Sequence, residues 1–204
     1  MIKIFFKENN ILNVKESDLV TFILKNFGDS LFRNLKIPFA YKAFPNVRAP
    51  FINIGDLDLL LVNPKQPQFT YEIEFKRIKI KSDLEFGINK LNGLKIAVEQ
   101  MKKRLKIGFH KYYLFIVSVF YGEYKQANNI FFKKADIETL DKIYGSQYLK
   151  ELDDKVGIVG LEIVQPTAKN FNEQCGMSIS KIQDSIPQRQ PLSLTDLIAK
   201  QYCQ

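Results

Sequence analysis

Residues 55–76 read GDLDLLLVNPKQPQFTYEIEFK and contain two apolar segments that carry carboxylates. Residues 57–62 form an apolar run interrupted by Asp58, and residues 69–80 alternate between polar and apolar side chains. Two prolines lie between the segments and favour a turn, so the stretch predicts a β-hairpin. A carboxylate at an inward strand position loses several kcal/mol of hydration unless a cation or hydrogen-bond donors compensate it. The acidic residues of this hairpin therefore predict a divalent-metal site.

The predicted register brings the acidic residues of the hairpin together. If residues 64–68 form the loop, Asp58 lies directly opposite Glu74 on one face of the two strands. Glu72 and Lys76 share that face with Glu74, because successive side chains of a strand alternate between faces. The alternative is an ordinary strand whose polar face is solvated. Apolar residues at both ends of the same face favour a covered face over that alternative.

Helix and strand patterns lie on both sides of the hairpin, and together they predict an α/β fold, an α/β/α sandwich with a central mixed sheet flanked by helices. The assignments rest on the three- and four-residue spacing of amphipathic helices and on the β-propensity of the apolar runs. The expected elements are a strand at 2–6, a helix that begins near Ser17 or Asp18 and ends near Gly28, irregular or edge structure at 31–50, an amphipathic helix at 83–107, a central strand at 112–120, a helix at 136–152 and a strand at 156–164.

Length and composition favour one compact domain. At 204 residues and 46% hydrophobic composition, the chain can bury a single core. We expect residues 1–165 to form this domain. Residues 166–204 are polar and contain three prolines, so they predict a C-terminal extension with a short helix at 193–200.

The charge balance favours a polyanionic partner. The chain carries 30 Lys and Arg against 22 Asp and Glu, a formal net charge of +8. Solvated surfaces in a lysine-rich proteome are the alternative explanation. Cys175 and Cys203 form neither a disulfide framework nor a zinc motif, and no apolar run is long enough to span a membrane. We therefore expect a cytoplasmic protein with no membrane partner.

Asp58, the triplet Glu74-Phe75-Lys76 and a following helix that contains Gln100 resemble the PD-(D/E)xK nuclease superfamily. The order agrees: an acidic residue opens one strand, Glu-x-Lys lies in the next, and a helix and a buried strand follow. The string GDLDLL at 55–60 is also similar to the Gly-Glu-Ile-Asp-Leu-Ile type of segment in that superfamily. The resemblance implies a restriction-endonuclease-like sandwich. It also implies a metal-dependent nuclease that hydrolyses phosphodiester bonds in DNA, with endonuclease action favoured.

The resemblance assigns a role to each residue of the motif. Asp58 and Glu74 would bind Mg²⁺, for which Mn²⁺ could substitute, and the backbone carbonyl of Phe75 would complete the coordination. Lys76 would orient or help to deprotonate the attacking water and stabilise the phosphate in the transition state. Gln100 would hold a water or a phosphate, unless it is a surface glutamine.

Three more acidic residues are candidate metal ligands. Asp56 and Glu72 lie on the same face as the motif by parity, so they could bind a second metal, extend the shell of the first or pair with basic side chains. Glu16, just before the first helix, resembles in position an acidic residue that some family members add to the metal site. Glu8 is a rival for that role, and either residue could instead favour a helix N-terminus.

Basic residues provide candidate nucleic-acid contacts. Arg48 precedes the acidic motif and could bind a phosphate through its guanidinium. Lys102, Lys103 and Arg104 crowd the end of the amphipathic helix, where they could contact phosphates or, as solvated residues, complement the helix dipole. His110, the single histidine, is expected to be structural. DNA is favoured over RNA, and cutting both strands would require a homodimer.

Two other function classes remain open at this stage. One is a catalytically inactive nuclease fold that binds nucleic acid or serves as a subunit of a larger nuclease complex. The other is a structural or viral interaction protein that docks through its polar C-terminal segment. The intact Asp58, Glu74 and Lys76 favour the enzyme over both.

Overall fold

The computed structural model describes residues 13–48, 55–80, 91–122, 137–166 and 176–204. Within these ranges, a six-stranded mixed sheet has helices on both faces, which confirms the predicted α/β/α sandwich. The strands are β1 (Lys42–Val47), β2 (Leu57–Val62), β3 (Tyr71–Ile80), β4 (Lys111–Gly122), β5 (Val156–Pro166) and β6 (Gly176–Gln183). The helices are α1 (Glu16–Asn34), α2 (Asn92–Arg104), α3 (Ile137–Tyr144), α4 (Gln147–Lys150) and α5 (Leu192–Tyr202), with 3₁₀ turns at Pro67–Phe69 and Leu105–Ile107.

The strands lie in the order β1-β2-β3-β4-β5-β6. The pairs β3–β4 and β4–β5 are parallel, and the other pairs are antiparallel. Residues 112–119 of β4 are buried throughout, because helices cover both faces of this central strand. The strand predicted at residues 2–6 lies outside the described residues, as does the first part of the predicted helix at 83–107.

Helix α1 packs on one face of the sheet, and α2 and α5 pack on the other. The first helix continues past Gly28, where it was expected to end, because its apolar stripe extends to the fully buried Leu31. A glycine inside a helix costs about 1 kcal/mol, which the burial of further apolar side chains outweighs. No helix in the described ranges combines the length and the apolar content needed to cross a bilayer.

The hairpin of β2 and β3 has the predicted register. Leu59 pairs with Ile73, and Leu60 pairs with Glu72. The pairing of β2 with β3 ends there, whereas β3 remains paired with β4 as far as Ile80. The two strands therefore separate at the position of Asp58, and the second half of β3 has no strand on its β2 side among the described residues.

Strand β1 falls within the segment that was expected to be irregular or edge structure. Pro45 has no N–H group, and Asn46 adopts a φ of 54°, a left-handed conformation that asparagine tolerates better than most residues. Both features suit an edge strand, where fewer backbone groups need partners.

The C-terminal residues belong to the sheet and to the core. Residues 176–204, expected to form a polar extension, supply β6 and α5, and α5 includes the predicted short helix. Leu194 and Ile198 of α5 lie in the core on the α2 face. Gln190 Nε2 donates to the carbonyl oxygen of Pro67 at 3.0 Å, which ties this segment to the turn of the hairpin.

Candidate metal centre and active site

Two carboxylates accept hydrogen bonds from backbone N–H groups of β3 beyond the point where β2 separates from it. Asp58 Oδ2 accepts a hydrogen bond from the Phe75 N–H at 2.8 Å, and Glu16 Oε1 accepts one from the Arg77 N–H at 2.6 Å. Backbone N–H groups inside a protein need hydrogen-bond acceptors, and β2 does not supply them here because it has separated from β3. The separation of the strands thus draws Asp58 and Glu16, which are distant in sequence, to one edge.

Lys76 lies between this edge and helix α2. Its Nζ is 3.8 Å from Glu16 Oε2, and its side chain is 24% exposed. The stem of the lysine passes over Gly93 in the first turn of α2, where a Cβ atom would lie 2.9 Å from Lys76 Cε. The absence of a side chain at Gly93 therefore makes room for Lys76, and Glu16 orients its ammonium group.

Arg104, at the end of α2, is buried among acidic groups. Its Nη1 donates to Glu72 Oε1 at 2.8 Å and also to Glu74 Oε2, and its Nη2 donates to the backbone carbonyl of Asp56 at 2.7 Å. The residue is 2% exposed. This corrects the expectation that Arg104 contacts nucleic acid, because a buried guanidinium bound to two carboxylates is not available to a phosphate in solvent.

The hydroxyl of Tyr112 fixes the end of α2 and with it the position of Arg104. It donates to the backbone carbonyl of Arg104 at 3.0 Å and accepts from the N–H groups of Gly108 and Phe109 at 2.9 and 2.7 Å. Tyr112 is fully buried in β4, next to Glu72 of β3. The phenol thus connects the central strand to the helix end that carries the guanidinium.

The site contains more carboxyl groups than basic groups. Burial raises the pKa of Glu72 to about 7, although Arg104 acts in the opposite direction. Burial and the nearby Asp58 charge raise the pKa of Glu74 to about 9. Four carboxyl groups, those of Asp58, Glu72, Glu74 and Glu16, lie near the two cations Lys76 and Arg104, so the site would carry two excess negative charges only if all four were ionised.

One oxygen of the cluster has no partner, and no ligand shell is preformed. Glu72 Oε2 is buried without a hydrogen bond among the described residues. No group of three or more His, Cys, Asp or Glu side chains in the described ranges is arranged as a set of metal ligands. The reason is that Arg104 engages Glu72 and Glu74, while Asp58 bonds to the Phe75 backbone.

Two expected residues lie beside the cluster rather than in it. Asp56 contributes its backbone carbonyl to Arg104, but its carboxylate is 66% exposed and lies 3.7 Å from Arg48 Nε. Asp56 was expected to bind a metal, but its carboxylate points to solvent and pairs with Arg48 instead. The guanidinium of Arg48 is exposed beside this carboxylate.

Helix α2 presents the remaining expected residues. Gln100 lies on the same stripe as Gly93 and Arg104, at spacings of seven and four residues, so it shares the helix face that meets the site. Gln100 and Lys103 also line a shallow groove of about 440 Å³ on the outer surface of α2. Lys102 forms ion pairs with Glu99 and Glu151 at 3.0 and 3.9 Å, while Lys103 is exposed.

The sequence reasoning missed the roles of Gly93, Tyr112 and Arg104 in building the site. A signal for Arg104 was present, since it follows Ala97 and Met101 on the buried stripe of α2 at spacings of seven and three residues. A charged residue on an apolar stripe requires a buried partner, and Glu72 and Glu74 were the available acids. Gly93 and Tyr112 carried no comparable signal, because their contacts depend on how α2 sits on the sheet.

The comparisons with known proteins do not assign the chain to a family. No protein-family model matches the sequence, and no curated protein sequence matches it. Among solved structures, the chain is similar to SfsA from Pyrococcus furiosus in complex with Ca²⁺, with a TM-score of 0.39 and 10% identity over 83% of this chain and 65% of that one. It is also similar to a repair endonuclease from Pyrococcus abyssi, with a TM-score of 0.26 and 16% identity over 52% of this chain and 38% of that one. The chain spans less than two thirds of either neighbour, and likenesses this weak carry no argument about ligand or activity.

Proposed function

We propose that this chain is a divalent-metal-dependent nuclease that hydrolyses phosphodiester bonds in DNA, with endonuclease action favoured. The observation that carries the proposal is the meeting of Asp58, Glu74 and Lys76 at the point where β2 and β3 separate. These are the residues of the PD-(D/E)xK motif that the sequence resembles. No strand in the described part of the chain covers the edge of β3 at the motif, and the side chain of Lys76 is 24% exposed.

The residues at this edge fit a hard divalent cation. Asp58 and Glu74 would hold Mg²⁺ or Mn²⁺, with the backbone carbonyl of Phe75 as a further oxygen ligand. The fit rests on the excess of carboxyl groups over basic groups and on the buried Oε2 atom of Glu72, which has no hydrogen-bond partner among the described residues. An added cation would stabilise Glu72 and Glu74 in their ionised form. A bound ion of this kind lowers the pKa of its water and neutralises charge on the phosphate.

The chain's own side chains would position the substrate and the attacking water. Lys76, held between Glu16 and Gly93, would donate to the attacking water or to a phosphate oxygen, where its charge stabilises the transition state. Glu16 would keep the ammonium group in place and could reach the metal as a further ligand. Gln100, on the α2 face that meets the site, would hold a water or a phosphate oxygen.

The net charge and the exposed basic residues favour a nucleic-acid substrate, with DNA proposed over RNA. Arg48 and Lys103 are exposed and would contact backbone phosphates, as would Lys102, which precedes Lys103 on α2. The described residues of one chain form one such cluster, so we propose that cutting both strands of a duplex requires a homodimer or a larger complex.

The test is cleavage of plasmid DNA in Mg²⁺ or Mn²⁺ by D58N, E74Q and K76M. Each variant should lose cleavage while its circular dichroism spectrum and melting temperature show a folded protein. The matched controls are E138Q and K142M, which change the charge of an exposed ion pair on α3 and should cleave like the wild type. Unchanged cleavage in all three site variants would refute the proposal, and a parallel assay on RNA would decide the substrate class.

An inactive nuclease fold that binds nucleic acid is a second candidate, because Arg104 already engages Glu74 and could take the place of a metal altogether. Under this alternative, the wild type would bind DNA with an affinity that falls steeply as salt increases. It would show no cleavage with either Mg²⁺ or Mn²⁺. Binding without turnover would therefore favour this candidate over the enzyme.

A further inference from the structure

We propose that Arg104 holds the place of a second cation, so that the site binds one divalent ion and not two. The inference rests on the proposed metal-dependent function and specifies its stoichiometry. It concerns a residue that the sequence had placed on the surface.

The guanidinium of Arg104 lies where a bridging cation would lie. One nitrogen, Nη1, contacts both Glu72 and Glu74, and the other terminal nitrogen contacts the carbonyl oxygen of Asp56. Two carboxylates and a backbone carbonyl are oxygen ligands that a hard divalent ion also prefers. The ligands that could form a second metal position are therefore already bound to a cation of the chain itself.

Arg104 cannot readily leave this position. Its guanidinium remains protonated at every physiological pH, so the charge is permanent. Tyr112 holds the backbone of Arg104 by a hydrogen bond of 3.0 Å, and the side chain is enclosed, with 2% of its surface exposed. The two ions of a two-metal site lie about 3.5–4 Å apart and share ligands. A second divalent ion would therefore have to approach within a few ångströms of this fixed positive charge.

The charge balance points to the same stoichiometry. When all four carboxyl groups are ionised, Lys76 and Arg104 leave two negative charges, which one divalent ion neutralises. A second ion would turn the enclosed cluster positive. Without Arg104, the same cluster would carry three uncompensated negative charges and could accept another ion between Glu72 and Glu74.

The test counts bound Mn²⁺ on the full chain by electron paramagnetic resonance, which measures the free ion. The number of ions bound per chain of D58N is subtracted from each count, because those ions do not depend on the proposed site. The wild type should bind one ion per chain and R104Q should bind two. The double variant E72Q/R104Q, which also removes one of the two carboxylates, should bind one. K102Q, which removes an exposed cation two residues away on the same helix, should bind one.

Each outcome has a defined meaning. Two ions on the wild type, or a single ion with unchanged affinity on a folded R104Q, would overturn the inference while leaving the proposed nuclease intact. No specific ion on the wild type would overturn the metal site itself. If R104Q does not fold, the wild-type count decides: one specific ion supports the inference, and two overturn it.

Discussion

The carboxylate of Asp58 accepts a 2.8 Å hydrogen bond from the backbone N–H of Phe75, across two strands that separate at this point. The contact gives Asp58 two tasks, because the same side chain satisfies the strand edge and faces the proposed metal position. The two tasks can be separated by substitution, since an amide keeps the hydrogen bond but loses the charge.

Asp58→Asn should therefore unfold at nearly the same urea concentration as the wild type, whereas Asp58→Leu should lose about 1–3 kcal/mol of stability, because it leaves the Phe75 N–H without an acceptor. Both variants should lose Mn²⁺ binding and DNA cleavage. Urea denaturation and a cleavage assay on the same preparations measure the two effects. Cleavage by Asp58→Asn at the wild-type rate would show that the charge is not required.

Gly93→Ala should lower the cleavage rate without lowering the stability of the fold. Alanine favours a helix over glycine by up to about 1 kcal/mol, so the variant should be at least as stable as the wild type. Its new methyl group would lie 2.9 Å from Lys76 Cε and must displace the end of that flexible side chain. We expect cleavage to fall roughly tenfold to a hundredfold, as displacements of about 1 Å can do.

The matched control for Gly93→Ala is Gly28→Ala in α1. A Cβ at Gly28 meets no atom within 4 Å, so this variant should gain a similar stability and keep full cleavage. Melting temperatures and single-turnover rates of the pair would test the role of Gly93. Equal rates in the two variants would remove Gly93 from the positioning of Lys76.

The stability of the metal-free chain should fall as the pH rises. The pKa values of Glu72 and Glu74 are raised in the folded state, to about 7 and about 9 from an ordinary value of 4.5. Between pH 4.5 and 9 the folded chain thus binds more protons than the unfolded chain, so the free energy of unfolding declines, by up to about 1.4 kcal/mol per pH unit for each carboxyl.

This pH profile can be measured by urea denaturation in the presence of a chelator. His110 is the only histidine, so few other groups titrate in the same range. Glu74→Gln should flatten the decline, most clearly above pH 7, where Glu74 is the group that remains. If the free energy of unfolding of the wild type stays level or rises between pH 5 and 9, burial does not raise the pKa values of these two carboxyl groups.

Arg104→Met should destabilise the metal-free chain by about 3–5 kcal/mol at neutral pH, because it leaves two buried carboxylates without their cation. Lys102→Met, two residues earlier on the same helix, breaks only exposed ion pairs and should change stability by no more than about 1 kcal/mol. Chemical denaturation of both variants measures the difference. A small effect at Arg104 would mean that water reaches the cluster.

The elements that the sequence predicted were those whose signals are local. The register of the hairpin followed from the alternation of its side chains and from the turn residues between its strands. The same alternation placed Glu72, Glu74 and Lys76 on one face. The central strand was identifiable because residues 112–119 are apolar in both parities, as burial on both faces requires.

The features that escaped prediction depend on contacts between distant segments. Arg104 continues the buried stripe of α2, but the acids that it meets on the sheet depend on how the helix packs there. Strand β6 carries few apolar residues and none of its residues is fully buried, so its composition does not indicate a strand. Glu16 reaches a backbone group 61 residues away, which no local pattern predicts.

The bond between Gln190 and Pro67 joins groups that are 123 residues apart in the chain. Synthesis at about 5–20 residues per second separates their emergence by an interval on the order of ten seconds. During that time a nascent chain has made the acidic hairpin but not the helix that packs on its turn. The contact between the C-terminal segment and the turn of the hairpin therefore forms only after residues 16–112, which supply the carboxylate cluster and its cations, have all been synthesised.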